Sequence, residues 1–415
     1  MDVLSHLFRR QAGQMVASLT RVLGGRHLAL AEEAVQDALV AALQRWPYRG
    51  VPEDPAAWLF AVARNRALDR LRRDRTAAEK APAVAAELAR GGVAPAAAPP
   101  LAGEPPPLVD DQLGLIFLTC HPGLPRDAAV ALTLKVAGGF GTGEIARAFL
   151  ADPRAVQQRI VRAKRVLRDA RAAFGMPEGP ALADRLDAVL AVVYLMFNEG
   201  YAATAGDALV REDIAGEALR LARLVARHPS TGAPRAWALL ALLALQASRF
   251  PSRVDAAGDL FVLAAQDRGA WDRGLLAEGL RALDRASSGP EVSAYHLEAG
   301  IAACHAAAPS WEATDWRQIV ALYDALVALT DSPVARLNRA IALSRLEGPR
   351  AGIRAIEAIG AHPALARYHL RPAALAGLWR EAGEPARAAA CYREALALAG
   401  SAPERRFLAG RLEGL

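Results

Sequence analysis

Residues 152–174 read DPRAVQQRIVRAKRVLRDARAAF, a stretch that combines a helix start, an apolar stripe and a high positive charge. Asp152 is a favourable N-cap residue, and Pro153 suits the first position of a helix. Seven basic side chains fall between residues 154 and 171, against one acid, Asp169. Such a helix is stable when water solvates its charges or when a polyanion neutralises them. The stretch alone does not choose between a solvated surface and a polyanion-binding surface.

A second, shorter helix is predicted immediately upstream in the segment GEIARAF, with Thr142 as its cap and Glu144 in its first turn. Two helices joined by the short connection LADP are typical of a helix-turn-helix, whose second helix enters the major groove of duplex DNA. The amides of Gln157 and Gln158 suit base edges. The cations that follow them suit phosphates: Arg159, Arg162, Lys164, Arg165 and Arg168.

The composition predicts an all-α protein with more than one domain. The chain has 415 residues, of which 53% are hydrophobic and 23% are charged, and this balance is typical of a globular protein. Alanine and leucine dominate, and the apolar residues recur mostly with helical spacing. A chain of this length can form about two to four domains, each with its own core.

The excess of positive over negative charge lies in the first 174 residues. The net charge is +4 in residues 1–75, −1 in residues 76–107, +4 in residues 108–174 and −1 in residues 175–415. Seven prolines in residues 76–107 indicate a partly extended linker. We therefore predict two small basic domains on a linker, followed by a neutral helical extension. Such a charge distribution is typical of a front half that binds nucleic acid.

The segment from residue 54 to residue 75 predicts an amphipathic helix opened by Asp54 and Pro55. Its apolar stripe consists of Leu59, Ala63, Ala67 and Leu71. A basic row follows Arg66, Arg70 and Arg73, and a neighbouring strip carries Asn65, Asp69 and Arg72. The preceding segment, RWPYRGVPED, is expected to form a loop in which Trp46, Tyr48 and Arg49 suit unstacked bases of a single strand. The alternative is that Trp46 and Trp58 are ordinary core residues.

Ahead of that segment, LALAEEAVQDALVAALQRW predicts another amphipathic helix, residues 28–46. The residues expected to face inward are Val35, Leu39, Leu43 and Trp46. An acidic outer patch is expected from Glu32, Glu33 and Asp37. On its own this patch is better explained as a solvated helix face.

Together these segments resemble the extracytoplasmic-function sigma factors of bacterial RNA polymerase. Residues 58–73 fit the family's region-two pattern W-L-x-x-x-A-x-N-x-x-x-D-x-x-R-R, and residues 156–164 fit its region-four pattern V-x-x-R-x-x-R-A-[KR]. The segment DRLDAVLAVVYLMFNEGYAAT is similar to the opening of a long helical C-terminal extension found in one subgroup. Gln157 and Gln158 depart from the basic residue and serine that are usual there, so a different minus-35 sequence is expected.

The resemblance implies three sets of site residues. A flipped base of the promoter minus-10 element would be held by Asn65 with Tyr48 and Arg49, and nearby phosphates by Arg66, Arg70, Arg72 and Arg73. The minus-35 element would be engaged by Gln157, Gln158, Arg159, Arg162, Lys164 and Arg165. The clamp helices of the polymerase largest subunit would be contacted by Glu33 and Asp37.

The extension, residues 175–415, shows repeat character near its end. Small and large apolar residues alternate there as in a tetratricopeptide repeat: Leu375, Ala376, Trp379, Ala388, Tyr392 and Ala395. Ala340 and Leu343 occupy equivalent positions about 36 residues earlier, but the copies are degenerate, and an irregular helical array is an equal alternative. We predict that the extension regulates activity and offers a groove for a protein or peptide partner.

Other classes of site and location receive no support from the sequence. Cys120, Cys304 and Cys391 lie far apart without a CxxC pair, which argues against a disulfide framework or zinc site and favours a reducing, cytoplasmic setting. No signal peptide is evident, and no uncharged apolar run is long enough to cross a membrane. We find no pattern for a cofactor, a metal or an acid–base dyad, so an enzyme is not expected.

Two alternatives remain open at this point. One is a one-component regulator, in which a helix-turn-helix is joined to a helical sensor. The other is a helical-repeat scaffold that binds peptides. The regulator leaves the pattern of residues 58–73 unexplained, and the scaffold leaves the charge bias of the front half unexplained.

Overall fold

The structure is a computed structural model, and it describes residues 2–87, 108–149, 151–201, 211–255 and 259–415. In these ranges the regular elements are helices, and the β-structure is limited to an isolated antiparallel bridge between Val254 and Leu260. The predicted all-α class is therefore confirmed. Most of the predicted linker, residues 88–107, lies outside the described residues.

The first helices hold the predicted DNA-binding segments. They are α1 (Asp2–Leu23), α2 (Leu28–Arg49), α3 (Pro55–Glu87), α4 (Leu108–Thr119), α5 (Arg126–Val136), α6 (Thr142–Ala148) and α7 (Pro153–Asp169). Helix α8 (Pro180–Tyr201) follows.

The later helices pack mostly against their neighbours in sequence. They are α9 (Glu212–Arg227), α10 (Pro234–Ala247), α11 (Arg273–Ala286), α12 (Ala294–Ala307), α13 (Trp316–Thr330), α14 (Pro333–Glu347), α15 (Pro349–Ala358), α16 (Leu370–Glu381), α17 (Pro385–Leu398) and α18 (Ala402–Glu413).

The chain divides into two compact units. The front unit comprises residues 1–145 and 153–192, and the extension unit comprises residues 146–152 and 193–415. The apolar stripe of α7 lies in the core of the front unit, because its members are almost completely buried: Val156, Ile160, Ala163 and Leu167. Burial of this stripe, spaced by three or four residues, explains how so basic a helix remains folded.

Two element boundaries differ from the sequence prediction. Residues 76–87, expected to begin the extended linker, continue α3, because alanines dominate there and favour a helix. Helix α7 ends at Asp169, before the end of the basic stretch at residue 174, because Arg171 adopts a left-handed conformation with φ of 48°. The amides of Arg171 and Ala172 donate to carbonyl groups of the last turn of α7, which completes the helix end.

Paired helices near the C-terminus interlock small residues with aromatic ones. The core between α16 and its neighbours α17 and α18 is formed by Ala376, Ala388, Tyr392, Ala395, Ala399 and Leu408, with Trp379 packed against it. Leu337 and Ala340 of α14 pack with Ile353, Ile356 and Leu378, and the partly buried rings of Tyr368 and Trp379 lie against this cluster. This packing agrees with the small-against-large pattern of the sequence, and the assignment to tetratricopeptide repeats stays a prediction.

Helices able to cross a bilayer are absent from the part of the chain that the structure describes. The three cysteines carry free thiols. Burial raises the pKa of Cys120 to about 11, so its thiolate is disfavoured.

Candidate nucleic-acid interface

Helices α2 and α3 pack together and form the base of the predicted minus-10 site. Asp54 accepts a hydrogen bond from the amide of Ala57 (2.9 Å) and so begins α3, as the sequence predicts. The apolar stripe of α3 is buried at Leu59, Ala63 and Ala67. The opposite side of α3 faces solvent, and its exposed residues include Asn65, Arg66, Arg70, Arg72 and Arg73.

Tyr48 and Arg49 belong to the last turn of α2, and the prediction of a loop at these positions is wrong. Pro47 is accommodated there, and the helix stops at Gly50, whose positive φ of 79° favours glycine. The amide of Gly50 donates to the carbonyl of Trp46 (3.0 Å). Tyr48 is 88% exposed, so its ring remains accessible to a base.

Trp46 and Trp58 pack against each other, with ring centroids 5.7 Å apart. Both rings are partly buried, which supports the interpretation of Trp58 as a core residue. The indole N–H of Trp46 is buried and has no hydrogen-bond partner among the described residues. This pair fixes the end of α2, which carries Tyr48, beside the start of α3.

The predicted polymerase-binding acids lie next to the predicted DNA-binding arginines. Asp37 is 3.3 Å from Arg66, and Glu33 is 3.9 Å from Arg70. All four side chains are largely exposed, so the ion pairs are weak and solvent-screened. The two predicted surfaces of this domain therefore meet along the junction of α2 and α3.

Arg72 and Arg73 both interact with Asp69 of the same helix. The guanidinium of Arg72 lies 3.6 Å from the carboxylate of Asp69, and Arg73 donates to the carbonyl oxygen of Asp69 (3.3 Å). These contacts are local and exposed, and a phosphate group can replace them at small cost. The predicted phosphate-binding arginines of α3 are thus all exposed to solvent.

Glu32 does not belong to the acidic outer patch, contrary to the sequence prediction. Its side chain is buried, with 8% of the residue exposed. One carboxylate oxygen lies 3.6 Å from the ammonium group of Lys135 on α5, and the other binds the ammonium group of Lys164 on α7. Two lysines from distant parts of the chain therefore stabilise a carboxylate that would otherwise be costly to bury.

A close backbone approach brings these segments together. A Cβ atom at Gly13 of α1 would lie 2.5 Å from the carbonyl oxygen of Ala137, which follows α5. A Cβ atom at Gly25 would lie 2.4 Å from the carbonyl oxygen of Ala172, which follows α7. Larger residues at either position would clash, so the two predicted domains pack against each other through glycines.

Leu43 is also misplaced by the sequence prediction. It is 75% exposed rather than inward-facing, and Val40 is half exposed. The buried side of α2 is instead formed largely by alanines, at Ala31, Ala34, Ala38, Ala41 and Ala42, together with Leu28 and Val35. Small residues allow α1 and α3 to approach closely, and the larger Leu43 is left on the outside.

The helix-turn-helix is formed by α6 and α7, but its first helix is capped differently from the prediction. Gly141, not Thr142, precedes the helix, and its amide donates to the carboxylate of Glu144 (2.7 Å). The Thr142 hydroxyl donates instead to the side-chain carbonyl of Gln157 (3.0 Å). Gln157 and Gln158 are both exposed at the start of α7. Gln157 is therefore held by a neighbour, whereas Gln158 extends into solvent.

The predicted phosphate-binding residues of α7 fall into different environments. Arg159 pairs with Asp127 (3.2 Å), and Arg165 pairs with Asp169 one turn away (3.5 Å). Arg162 is exposed and has no ion pair among the described residues. Lys164 alone of this set is largely buried, because it binds Glu32.

Comparisons with known proteins agree with this arrangement. The Sigma-70 region 2 family matches residues 7–76, and the Sigma-70 region 4 family matches residues 114–167. A family of unknown function (DUF6596) matches residues 185–287. A protein of Rhizobium meliloti (strain 1021), described as uncharacterised, is 40% identical over 392 residues, which cover 94% of this chain and 91% of that protein. No solved structure matches the chain.

Both sigma domains therefore occur in their expected order, and each contains the helices that carry the predicted site. The third match begins within α8 and covers α9, α10 and α11. The match to the Rhizobium meliloti protein extends over nearly the whole chain. The chain belongs to the extracytoplasmic-function sigma factors that carry a C-terminal extension.

Proposed function

We propose that this sigma factor binds core RNA polymerase through α2, captures an unpaired minus-10 base at the junction of α2 and α3, and reads the minus-35 duplex with α7. One observation carries the proposal. The two family-matched segments each expose a different kind of surface, one with an aromatic ring beside arginines and one with amides at the start of a helix. The first suits single-stranded DNA, and the second suits a major groove.

The minus-10 part of the proposal rests on Tyr48 and Asn65. Both side chains are exposed, so a base that leaves the duplex could stack on the ring and bond to the amide. Base–aromatic stacking stabilises such complexes by roughly 1–3 kcal/mol per base. Arg49, Arg66 and Arg70 are also exposed and would hold the neighbouring phosphates.

The polymerase part of the proposal rests on the outer face of α2. Glu33, Asp37 and Val40 follow one another at helical spacing, so they share one face. The exposed Leu43 extends this face with an apolar edge. Interfaces combine an apolar centre with a charged rim, so we add Val40 and Leu43 to the docking surface.

The minus-35 part of the proposal rests on Gln157 and Gln158 at the exposed start of α7. Their amides would contact base edges, adenine being the usual partner. Arg159, Arg162 and Arg165 would bind phosphates and set the orientation of the helix. Lys164 would bind a phosphate only after its ion pair with Glu32 is broken.

We further propose that the extension controls this activity in the cytoplasm through a protein or peptide partner. The extension is nearly neutral in charge, which makes DNA an unfavourable main partner. Arrays of paired helices commonly offer grooves to other proteins.

In vitro transcription with purified core polymerase tests the central proposal. We expect promoter-specific transcripts only when the full chain and core polymerase are both present. A one-component regulator would instead bind duplex DNA without polymerase, and a scaffold would need no DNA. Promoter-independent output, or specific duplex binding that polymerase does not change, would contradict the sigma-factor mechanism.

A charged substitution at Leu43 tests the docking surface separately. Leu43→Asp should abolish co-purification with core polymerase without loss of helical circular dichroism, because it places a charge in the apolar part of the interface. Leu329→Asp is a matched control, since Leu329 is a half-exposed leucine of the extension. Equal polymerase binding by the two variants would show that this face of α2 is not the docking surface for polymerase.

Truncation tests the role of the extension. Residues 1–192 contain all segments of the front unit. Transcription by this fragment should differ clearly from that of the full chain at equal abundance, with loss expected. Equal output under all growth conditions would contradict regulation by the extension.

A further inference from the structure

A cleft in the extension unit is lined by three helices, two of which contribute arginines. It has a volume of about 550 Å³, which is within the usual size range of small-molecule sites. Helix α10 packs against both α9 and α11, and its residues Trp237 and Leu240 line the cleft. The charged residues that line it are Arg223 and Arg227 of α9 and Glu278, Arg281 and Arg285 of α11.

Four arginines and one carboxylate leave this cleft with an excess of positive charge. Glu278 is the acid of the lining, and both of its oxygens are already used. Arg223 donates to them through Nε (2.9 Å) and an amino group (2.6 Å), and Arg227 donates through an amino group (2.9 Å). The hydrogen bonds from Arg223 lower the pKa of Glu278, so its charge is retained at neutral pH.

The other two arginines have no acidic partner among the described residues. Arg281 is exposed and makes no ion pair there. The guanidinium of Arg285 lies over the ring of Trp237, 4.6 Å from its centroid. Such stacking orients a guanidinium while its N–H donors remain available along the edge. The cleft thus presents donors that are positioned but not neutralised.

This concentration of charge stands out against the rest of the extension. Residues 175–415 carry a net charge of −1, so their basic and acidic groups nearly balance. Like charges gathered in one cleft repel one another, and a bound anion removes that repulsion. The nine lining residues also fall within residues 185–287, the segment matched by the family of unknown function.

We infer that this cleft binds a small oxyanion with two or more negative charges, such as a phosphate ester or a polycarboxylate. Guanidinium groups match the geometry of both oxyanions through paired N–H donors. The ligand would lie between α9 and α11 and would be held mainly by Arg281 and Arg285. Arg223 and Arg227 would add to the positive electrostatic potential of the cleft. The ring of Trp237 would form an apolar wall.

Isothermal titration calorimetry on the full chain tests this inference at low ionic strength. Pyrophosphate, ATP and citrate serve as probes, and saturable binding to at least one is expected. The double variant Arg281→Ala with Arg285→Ala should bind that probe about tenfold more weakly or worse, since two charge-assisted contacts are lost. Rising salt should also weaken binding by the unmodified chain.

The matched control removes two arginines from elsewhere in the same unit. Arg354 and Arg367 are exposed and lie outside the cleft, so Arg354→Ala with Arg367→Ala changes the net charge equally. This control should bind the probe as the unmodified chain does. Circular dichroism and a melting curve establish that both double variants are folded.

The outcomes separate the sources of the oxyanion. Binding of pyrophosphate and ATP without citrate indicates a phosphate ligand, and the reverse indicates a carboxylate. No binding of any probe, equal affinities of the two double variants, or binding of poly-glutamate alone would overturn the inference. These measurements contain no polymerase and no DNA, so their result is independent of the proposed role in transcription.

Discussion

Two arginine sites, one on the front unit and one in the core of the extension unit, use this residue in opposite ways. In the front unit, Arg66 and Arg70 pair with acids across the surface and remain largely exposed. In the extension unit, Arg253 is buried over the ring of Tyr201, with its guanidinium carbon 3.7 Å from the centroid. Exposed pairs exchange readily with another anion, whereas a desolvated arginine is bound to its neighbours. The surroundings, not the residue type, decide whether arginine binds a partner or stabilises the fold.

The largest effect on stability is expected at Arg268 in the extension unit. Its guanidinium donates to the carbonyl oxygens of His305 and Ala308 and to the hydroxyl of Thr314, so it connects the end of α12 to the following turn. Arg268→Ala should lower the free energy of unfolding of the extension unit by about 3 kcal/mol, because several charge-assisted hydrogen bonds are lost. Urea denaturation followed by tryptophan fluorescence measures this change.

Arg367→Ala provides the matched control, since Arg367 is exposed. It should change the free energy of unfolding by less than about 0.5 kcal/mol. Similar losses at both positions would show that Arg268 does not hold this part of the fold, and would remove the contrast between the two units.

A smaller loss of stability is expected when the pH is lowered, and it should arise in the extension unit. Burial, with the nearby charges of Arg249 and Arg268, lowers the pKa of His305 to about 4. Because the folded state favours the neutral imidazole, the stabilisation is complete above the unfolded pKa and is lost as the pH falls through about 6.5 towards 4. The expected loss between pH 7.5 and pH 5 is about 2 kcal/mol.

His305→Phe isolates this contribution. The ring of His305 stacks on Trp311 with an interplanar angle of 5°, and phenylalanine keeps an aromatic ring there without a titrating group. Denaturation at both pH values should show a weaker pH dependence for the variant. An unchanged pH dependence would show that His305 does not cause the loss of stability at low pH.

In the front unit the next effect concerns specificity rather than stability. Gln158 is exposed without a hydrogen bond to a neighbour among the described residues, whereas Gln157 accepts one from Thr142. Gln158→Ala should therefore cost about 1 kcal/mol on the preferred minus-35 duplex and much less on duplexes altered at the contacted base. Fluorescence anisotropy with the complex of this chain and core polymerase, across a set of single-base variants, measures this difference.

Arg165→Ala is the control for that experiment, because a phosphate contact is lost equally on every sequence. A uniform loss for Gln158→Ala as well would mean that the glutamine does not read bases. The same data would then indicate that α7 binds only the DNA backbone.

The sequence was sufficient where a local pattern determines the structure. The buried stripe of α7, the start of α3 at Asp54 and the all-α class follow from spacing and capping within a few residues. It was insufficient where the outcome depends on distant partners. Glu32 is buried because of Lys135 and Lys164, more than 100 residues away, and no local pattern contains that information.

The exposed Leu43 illustrates a second reason why the sequence alone was insufficient. Helix α2 has two candidate inward stripes, one of larger residues and one of alanines, and periodicity gives no preference between them. The alanine stripe is buried because α1 and α3 both pack closely on α2. The choice is therefore made by packing between helices, which is not contained in the sequence of α2.

The smallest expected effect is at Lys164, and it tests whether the two sigma domains influence each other. Lys164 must leave Glu32 before it can bind a phosphate, so the contact it gains replaces one that it loses. Lys164→Ala should weaken duplex binding by less than about 0.5 kcal/mol. Arg162→Ala should weaken it more and lower the salt slope by about one, because Arg162 has no ion pair among the described residues.

A double-mutant cycle with Glu32→Gln completes this test. Without the carboxylate of Glu32, Lys164 is available to DNA, so Lys164→Ala should now cost about as much as Arg162→Ala. Anisotropy titrations with the core-polymerase complex over a potassium chloride series give both the affinities and the salt slopes, and melting curves check that Glu32→Gln remains folded. If Lys164→Ala cost the same with and without Glu32, the acid would not compete with the promoter for this lysine. Competition would instead mean that contact between the two domains is exchanged for contact with DNA.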